Sequence, residues 1–367
     1  MLKSSAISMG ASHVRPILVT GGAGFIGSNY VQAAVGERRS VVVLDLLTYA
    51  GNRANLAAVE GHPSFTFVEG SIGDRALLDR LFAQYRPGAV IDFAAESHVD
   101  RSIDGPAAFV ETNILGAFTL LEAARRHWDG LTGADRNEFR FLHVSTDEVY
   151  GSLESGAAAE TAAYAPNSPY AATKAAADHL VRASHRTYGL PTLVTNCTNN
   201  YGPYQFPEKL IPLMIINALE GHALPVYGDG GQVRDWIHVA DHCRGIDRVL
   251  ASGTPGRTYN IGAEDRRTNR TVIEGICSIL DDLRPRADGA SHVALMTPVA
   301  DRPGHDRRYA LDAGRVRAEL GWEPTIAFDA GLRSTIEWYI SNQGWWDDLR
   351  RRTRYQGQRL GLAAQRG

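Results

Sequence analysis

This sequence predicts an α/β fold: a doubly wound, parallel sheet followed by a smaller C-terminal mixed α/β lobe. Three observations carry the prediction. Apolar runs of strand length alternate with longer helical patterns. The runs are continuous rather than alternating, as strands covered on both faces require. The first run leads straight into a glycine-rich turn that opens a helix.

Each element follows in order. Residues 16–20 (PILVT) read as the first strand and 25–35 as the helix after it. Residues 40–46 (SVVVLDL), rich in β-branched side chains, are the second strand, and 65–68 the third. Residues 74–85 form an amphipathic helix and 89–93 the fourth strand. Phe109, Ile114, Leu115, Phe118 and Leu121 recur at helical spacing. Residues 139–145 (FRFLHVS) are the fifth strand. An Ala-rich helix spans 170–188, with Ser168 suited to the N-cap and Pro169 to the first helical position. Residues 191–196 are the next strand. Right-handed crossovers between such strands give a Rossmann-type sheet.

After residue 198 the rhythm breaks, with loop signals at 199–203 (NNYGP) and 228–231 (GDGG). The expected division is a disordered extension over 1–15, a dinucleotide-binding domain over 16–198 to which later segments return, a substrate lobe over 199–345 and a tail over 346–367.

Composition narrows the function. The chain has 367 residues, 44% hydrophobic and 22% charged, enough to bury a core without metal or disulfide staples. Its 38 Lys and Arg against 41 Asp and Glu give a net charge of −3, which argues against nucleic-acid binding. Cys197, Cys243 and Cys277 show no C-x-x-C spacing, so neither a disulfide framework nor a metal site is expected. The N-terminus lacks the apolar core of a signal peptide, and the longest apolar runs are too short to span a bilayer. A cytoplasmic protein without membrane contact is expected.

The glycine turn is TGGAGFIG, with Gly21, Gly24 and Gly27 spaced G-x-x-G-x-x-G. One glycine allows the tight turn, one the approach of a diphosphate and one close helix–strand packing, with the helix N-terminus facing the phosphates. Asp45 ends the second strand, where a carboxylate accepts from the adenosine ribose hydroxyls and repels a 2′-phosphate. NAD is therefore the expected cofactor. Tyr170 and Lys174 stand four apart on one helical face. The ammonium is expected to lower the phenol pKa from about 10 toward neutrality, making Tyr170 a base for an alcohol losing hydride. Thr146 places a hydroxyl at the carboxyl end of the fifth strand, where ligands bind. Asp147 and Glu148 follow it directly. Epimerisation by hydride removal and return has no work for such a pair. Elimination of water needs one base and one acid, which two carboxyls in different environments supply.

With TGGAGFIGS, YAATK and the strand-end hydroxyl in hand, the sequence resembles the extended short-chain dehydrogenase/reductase superfamily. Within it, Thr146-Asp147-Glu148, the segment 94–102 (AAESHVDRS), the segment 199–210 (NNYGPYQFPEKL) and the segment 301–306 (DRPGHD) resemble the dTDP-glucose 4,6-dehydratase family, over about 17–340. The alternatives are another nucleotide-sugar enzyme of the superfamily, an epimerase or a decarboxylase, and a catalytically silent NAD-binding scaffold.

The resemblance implies the following roles. Tyr170 takes the C4 hydroxyl proton as hydride passes to NAD, Thr146 bonds the C4 oxygen, Glu148 removes the C5 proton and Asp147 protonates the leaving C6 hydroxyl. Phe25, Ile26, Leu46, Leu47, Thr48, Ala94, Ala95, Ser97, Thr112 and Asn200 accompany the cofactor. Ser97, His98, Asn199, Glu208, Lys209 and Leu210 meet the substrate. Pro225 and Tyr227 form a platform for thymine, and Arg234, Asn269, Arg302 and His305 meet its phosphates and ribose. Ser71-Ile72 stands where the family usually shows Asp-Ile at the adenine, and Asn196-Cys197-Thr198 where Arg-Cys-Ser is usual. The resemblance also implies a homodimer joined by a four-helix bundle of the helices near 107–126 and 170–188.

Overall fold

The computed structural model describes residues 15–301, 306–353 and 355. Residues 1–14 of the extension expected over 1–15 lie outside these residues. The first six strands are β1 (Ile17–Thr20), β2 (Val41–Asp45), β3 (Phe65–Glu69), β4 (Ala89–Asp92), β5 (Arg140–Thr146) and β6 (Thr192–Cys197). They are followed by β7 (Asn199–Tyr201), β8 (Leu224–Tyr227), β9 (Val233–His238), β10 (Thr258–Ile261), β11 (Arg266–Thr268) and β12 (Met296–Val299). The main sheet runs β10-β6-β5-β4-β1-β2-β3, with every pairing parallel. The strand order reverses between β1 and β4, so a crevice opens there beyond the carboxyl ends of the strands.

Alternate residues of each strand enter opposite cores. Val19, Val43, Ile91, Leu142 and Leu193 pack on the side of the helices Phe25–Gly36 and Val239–Ser252. Leu18, Val42, Leu44, Val90, Phe141 and Val194 pack on the side of Arg75–Tyr85 and Ala117–Asp129. Both faces being covered is why the strands read as unbroken apolar runs. Ser168 caps Pro169–Tyr188 by accepting from Ala171 N at 3.1 Å, and Pro169 occupies the first helical position.

A further hydrophobic core joins the helices Leu210–Leu219, Asn269–Leu283 and Phe328–Ser341 around Trp236 and Trp346. The helix Gln343–Thr353 crosses the boundary drawn at residue 346 because Trp346 and Leu349 are buried. β10 returns to the edge of the main sheet from this later part of the chain.

The helix Pro106–Asp129 is long and apolar enough, by length and composition, to cross a membrane. Glu111, Thr112, Asn113 and Glu122 interrupt its apolar residues, so no uninterrupted run reaches that length. It is an amphipathic helix carrying Glu111 and Glu122, and Leu120, Leu121, Ala123 and Ala124 pack into the main sheet's core. Its middle, Val110–Gly116, is a π-helical segment.

Candidate active site

One cleft lies beyond the carboxyl ends of β1, β2, β4, β5 and β6. Its first wall is the glycine turn. Gly21 has φ +66°, and a Cβ on it would stand 2.7 Å from Ala94 N. A Cβ on Gly27 would stand 2.3 Å from Gly21 O. The helix Phe25–Gly36 therefore starts pressed against the turn, with Gly24, Phe25 and Ile26 facing the cleft. This cradle fits a diphosphate. Asp45 holds the turn from β2: its carboxylate accepts from Ala23 N at 2.9 Å and Leu47 N at 2.8 Å. Burial raises its pKa, and those two bonds oppose the rise.

Leu46, Thr48, Ser71, Ile72, Ala94, Ala95, Ser97, Thr112 and Asn200, the residues expected beside the cofactor, line the same cleft. Ser71 accepts from Gly73 N at 3.0 Å, closing its own turn. The π-helical segment puts Thr112 on the cleft and Asn113 behind it. Asn113 exchanges bonds with both backbone groups of Glu96 and donates to Thr173 at 3.0 Å, which fixes the 94–97 loop.

The reacting groups converge opposite. Thr146, Asp147, Glu148, Tyr170 and Lys174 all line the cleft. Thr146 ends β5 and caps the short 3-10 helix Asp147–Tyr150, accepting from Glu148 N at 3.3 Å. Asp147 is 4% exposed. Burial, the charge of Glu148 and that of Asp235 push its pKa well above the carboxylate range, opposed by Arg234 and by a bond from Thr146. Its Oδ1 takes the Thr146 hydroxyl at 3.3 Å, and its Oδ2 has no hydrogen-bond partner among the described residues. The two adjacent carboxyls thus differ: Asp147 is enclosed, whereas Glu148 is half-buried.

Tyr170 corrects an expectation. Burial and the charges of Glu148 and Asp147 raise its pKa well above 10, with only a hydrogen bond from Thr146 opposing them. Lys174 does not pull it down, because the ammonium is turned inward, to Val144 O at 2.8 Å and His143 Nε2 at 3.1 Å.

On the substrate side, Asn199, Glu208 and Lys209 line the cleft. Lys209 donates to Ser97 O at 3.2 Å. Glu208 accepts from Arg101 Nε at 3.2 Å, and the Arg101 guanidinium lies 4.0 Å over the Tyr49 ring. Burial raises the Glu208 pKa against the nearby cations Lys209 and Arg101. His98 is buried beside the cleft wall, its Nε2 3.7 Å from Glu208 Oε1. Leu210 starts the next helix.

The remaining nucleotide contacts are not brought to the cleft lining. Pro225 and Tyr227 sit on β8, paired with β12, and Asn269 opens a helix. Arg234 is buried, donating to Val233 O and Asp306 O at 2.9 Å and lying 4.4 Å over Tyr309. Arg302 and His305 lie outside the described residues. Asn196, at the other departure from the family pattern, is fully buried and donates to Thr146 O at 3.4 Å and Tyr164 OH at 3.2 Å.

Sequence reasoning missed several lining residues, among them Tyr49, Cys197 and Phe206, and missed Asp92 and His143 behind Lys174. The last two had a signal. Asp92 ends the apolar run of β4, His143 interrupts the apolar run Phe141–Val144 of β5, and their strands pair with Asp92 opposite His143.

Sheet, glycine cradle and Tyr–Lys pair together define an extended short-chain dehydrogenase/reductase. A family model described as GDP-mannose 4,6 dehydratase matches residues 18–335. A dTDP-glucose 4,6-dehydratase of Xanthomonas campestris is 59% identical over 89% of this chain and 94% of its own. The solved structure of dTDP-glucose 4,6-dehydratase DesIV from Streptomyces venezuelae, with NAD and TYD bound, has TM-score 0.83 at 49% identity, covering 91% of this chain and 99% of its own. That of the Bacillus anthracis dTDP-glucose 4,6-dehydratase, in complex with NAD, has TM-score 0.80 at 44% identity, covering 91% and 99%. The chain belongs to the dTDP-glucose 4,6-dehydratase family.

Proposed function

We infer that the chain is an NAD-dependent dTDP-glucose 4,6-dehydratase, forming dTDP-4-keto-6-deoxyglucose and water. The observation that carries the reading is the pair of adjacent carboxyls in unlike environments beside Thr146 and Tyr170. NAD bound in the cleft takes a hydride from C4 of the sugar and gives it back at C6, so no outside reductant is consumed. The glycine turn and Asp45 hold its phosphates and ribose. Tyr170 accepts the C4 hydroxyl proton, with Thr146 bonded to the same oxygen. The raised pKa of Tyr170 makes its phenolate a strong base once formed. Glu148 removes the C5 proton. Asp147, whose pKa burial raises, delivers its proton to the departing C6 hydroxyl.

The same reading extends outward. Residues 16–198 with β10 hold the cofactor, and the later part of the chain covers the nucleotide. Glu208, Lys209 and Asn199 meet the nucleotide end, with Arg234, Asn269, Pro225 and Tyr227 supporting it. The protein is a homodimer through a bundle of the helices Pro106–Asp129 and Pro169–Tyr188 of each copy. Val110, Leu115 and Phe118 on the first helix and Tyr188 on the second are exposed, which a partner copy would cover. The protein acts in the cytoplasm, in keeping with three free cysteines, all buried.

The test is incubation with dTDP-glucose and detection of the base-sensitive 4-keto chromophore. Product from dTDP-glucose supports the reading. Product only from UDP- or GDP-glucose moves the base preference, and no product from any of the three refutes the enzyme.

A further inference from the structure

Behind Lys174 lies a buried row of polar groups that the chemistry above does not use. Thr20, the last residue of β1, donates to Asp92 Oδ1 at 2.7 Å. Asp92 Oδ2 lies 2.8 Å from His143 Nδ1, and His143 Nε2 lies 3.1 Å from Lys174 Nζ. All four residues are essentially closed to solvent. The row joins the strand that carries the glycine turn to the helix that carries Tyr170.

The surroundings of Lys174 come from four elements. His143 and Val144 O face it from β5, Asp92 from β4, Cys197 from β6, and Tyr170 and Asp178 from its own helix. Asp178 is fully buried. It accepts from Ser145 at 2.9 Å and Tyr164 at 2.8 Å, while its Oδ1 stands 3.6 Å from His143 Nε2. Two buried carboxylates therefore flank one ammonium.

With Lys174 as the ammonium and His143 neutral, donors and acceptors admit one arrangement. A carboxylate only accepts, so His143 must carry its proton on Nδ1 to bond Asp92. A neutral ring protonated there leaves Nε2 as an acceptor. An ammonium has three protons to give and needs such acceptors. Lys174 directs one to Nε2 and one to Val144 O, and the third remains for the cleft that it lines. A ring protonated on Nε2 instead would set a donor against the ammonium and leave Asp92 without its partner.

We propose that Asp92 and His143 are positioning residues of this enzyme: Asp92 locks His143 as the Nδ1–H tautomer, and His143 Nε2 holds the Lys174 ammonium with its remaining proton aimed into the cleft. The kinetic consequence rests on the dehydratase reading; the tautomer rests on the geometry alone.

Two measurements on the NAD-bound protein separate these. With 15N-labelled histidine, the His143 signals, assigned by their loss in His143→Gln, show a protonated Nδ1 and a bare Nε2 near neutral pH. In Asp92→Asn they move toward the other tautomer. A wild-type ring protonated on Nε2 overturns the proposal whether or not the enzyme turns over. In the assay with dTDP-glucose, Asp92→Asn lowers kcat about 10- to 100-fold, as loss of an outer partner of a functional histidine does. KM and NAD content stay near wild type, and the pH dependence of bound NADH formation shifts. His143→Gln, whose amide can accept from Lys174 and donate to Asp92, keeps more activity than His143→Leu. An active wild type beside an Asp92→Asn variant with unchanged kcat and pH profile overturns the proposal while leaving the dehydratase reading intact. An inactive wild type counts against that reading, and the nitrogen signals still decide the tautomer.

Discussion

Replacing Asp147 by Asn removes one proton and little else. The side chain keeps its size, and its Oδ1 keeps an acceptor for the Thr146 hydroxyl, 3.3 Å away. On the proposed mechanism, what it loses is the acid for the C6 hydroxyl. General acid catalysis contributes about 10²- to 10⁴-fold. Asp147 is 4% exposed, so bulk water has little access to replace it and the loss falls near the middle of that range or above. A loss of about 10³ corresponds to about 4 kcal/mol of barrier. C4 oxidation makes no demand on Asp147, so bound NADH should form and then persist. Rapid mixing with dTDP-glucose, following NADH absorbance and 4-keto product separately, distinguishes the two steps. Stability should move the other way. The folded pKa of Asp147 is raised above its unfolded value. Its contribution is therefore full below the unfolded pKa and is lost as pH rises through the folded one. Asp147→Asn has no such loss, so its thermal midpoint should match or exceed wild type on the alkaline side. A variant with wild-type turnover, or one that cannot form NADH, refutes the acid assignment.

Three further outcomes follow from the same geometry. Glu148→Gln should still reduce bound NAD on mixing with substrate while solvent exchange at C5 falls by about 10²-fold or more, the scale of a lost general base; failure to form NADH would place Glu148 in the oxidation step instead. Gly27→Ala puts a Cβ 2.3 Å from Gly21 O, backbone that cannot swing aside, so it should cost about 1–3 kcal/mol in denaturant unfolding and leave the purified protein depleted of NAD. Leu115→Asp with Phe118→Glu places charge on an exposed apolar face and should give a monomer by light scattering, whereas an unchanged dimer would move the interface elsewhere.

The main sheet was legible because its strands are buried on both faces and so read as unbroken apolar runs. β2, VVVLD, is buried at every position. The glycine turn was legible because its backbone geometry admits few other residues: Gly21 needs both positive φ and room beside Ala94. Elements built by long-range packing were less so. Trp346 sits in a buried cluster with Trp236 and Phe328, yet its local sequence, rich in Asp and Arg, reads as a tail. The π-helical segment at Val110–Gly116 was invisible, since a single inserted residue leaves the apolar spacing nearly unchanged.

Thr146, Asp147, Glu148, Tyr170 and Lys174 were legible as a group that meets at one cleft, and their electrostatics were not. A Tyr and a Lys four apart on a helix predict that the ammonium acidifies the phenol, and spacing alone supports it. In the fold, the same helical face also meets Asp92, His143 and Asp178, which face Lys174 and hold it inward, while Glu148 and Asp147 face Tyr170 and raise it. Asp178 comes from the helix of Lys174 itself, but the other groups come from β4, β5 and the segment after β5, brought together only when the parallel strands are in register. Asp147 and Glu148 make the same point over one residue. Identical in chemistry and adjacent in sequence, they differ because the 3-10 turn after β5 buries the first and leaves the second half-buried at the cleft. A sequence can place two carboxyls side by side, but it is burial that raises the pKa of Asp147, and burial belongs to the fold.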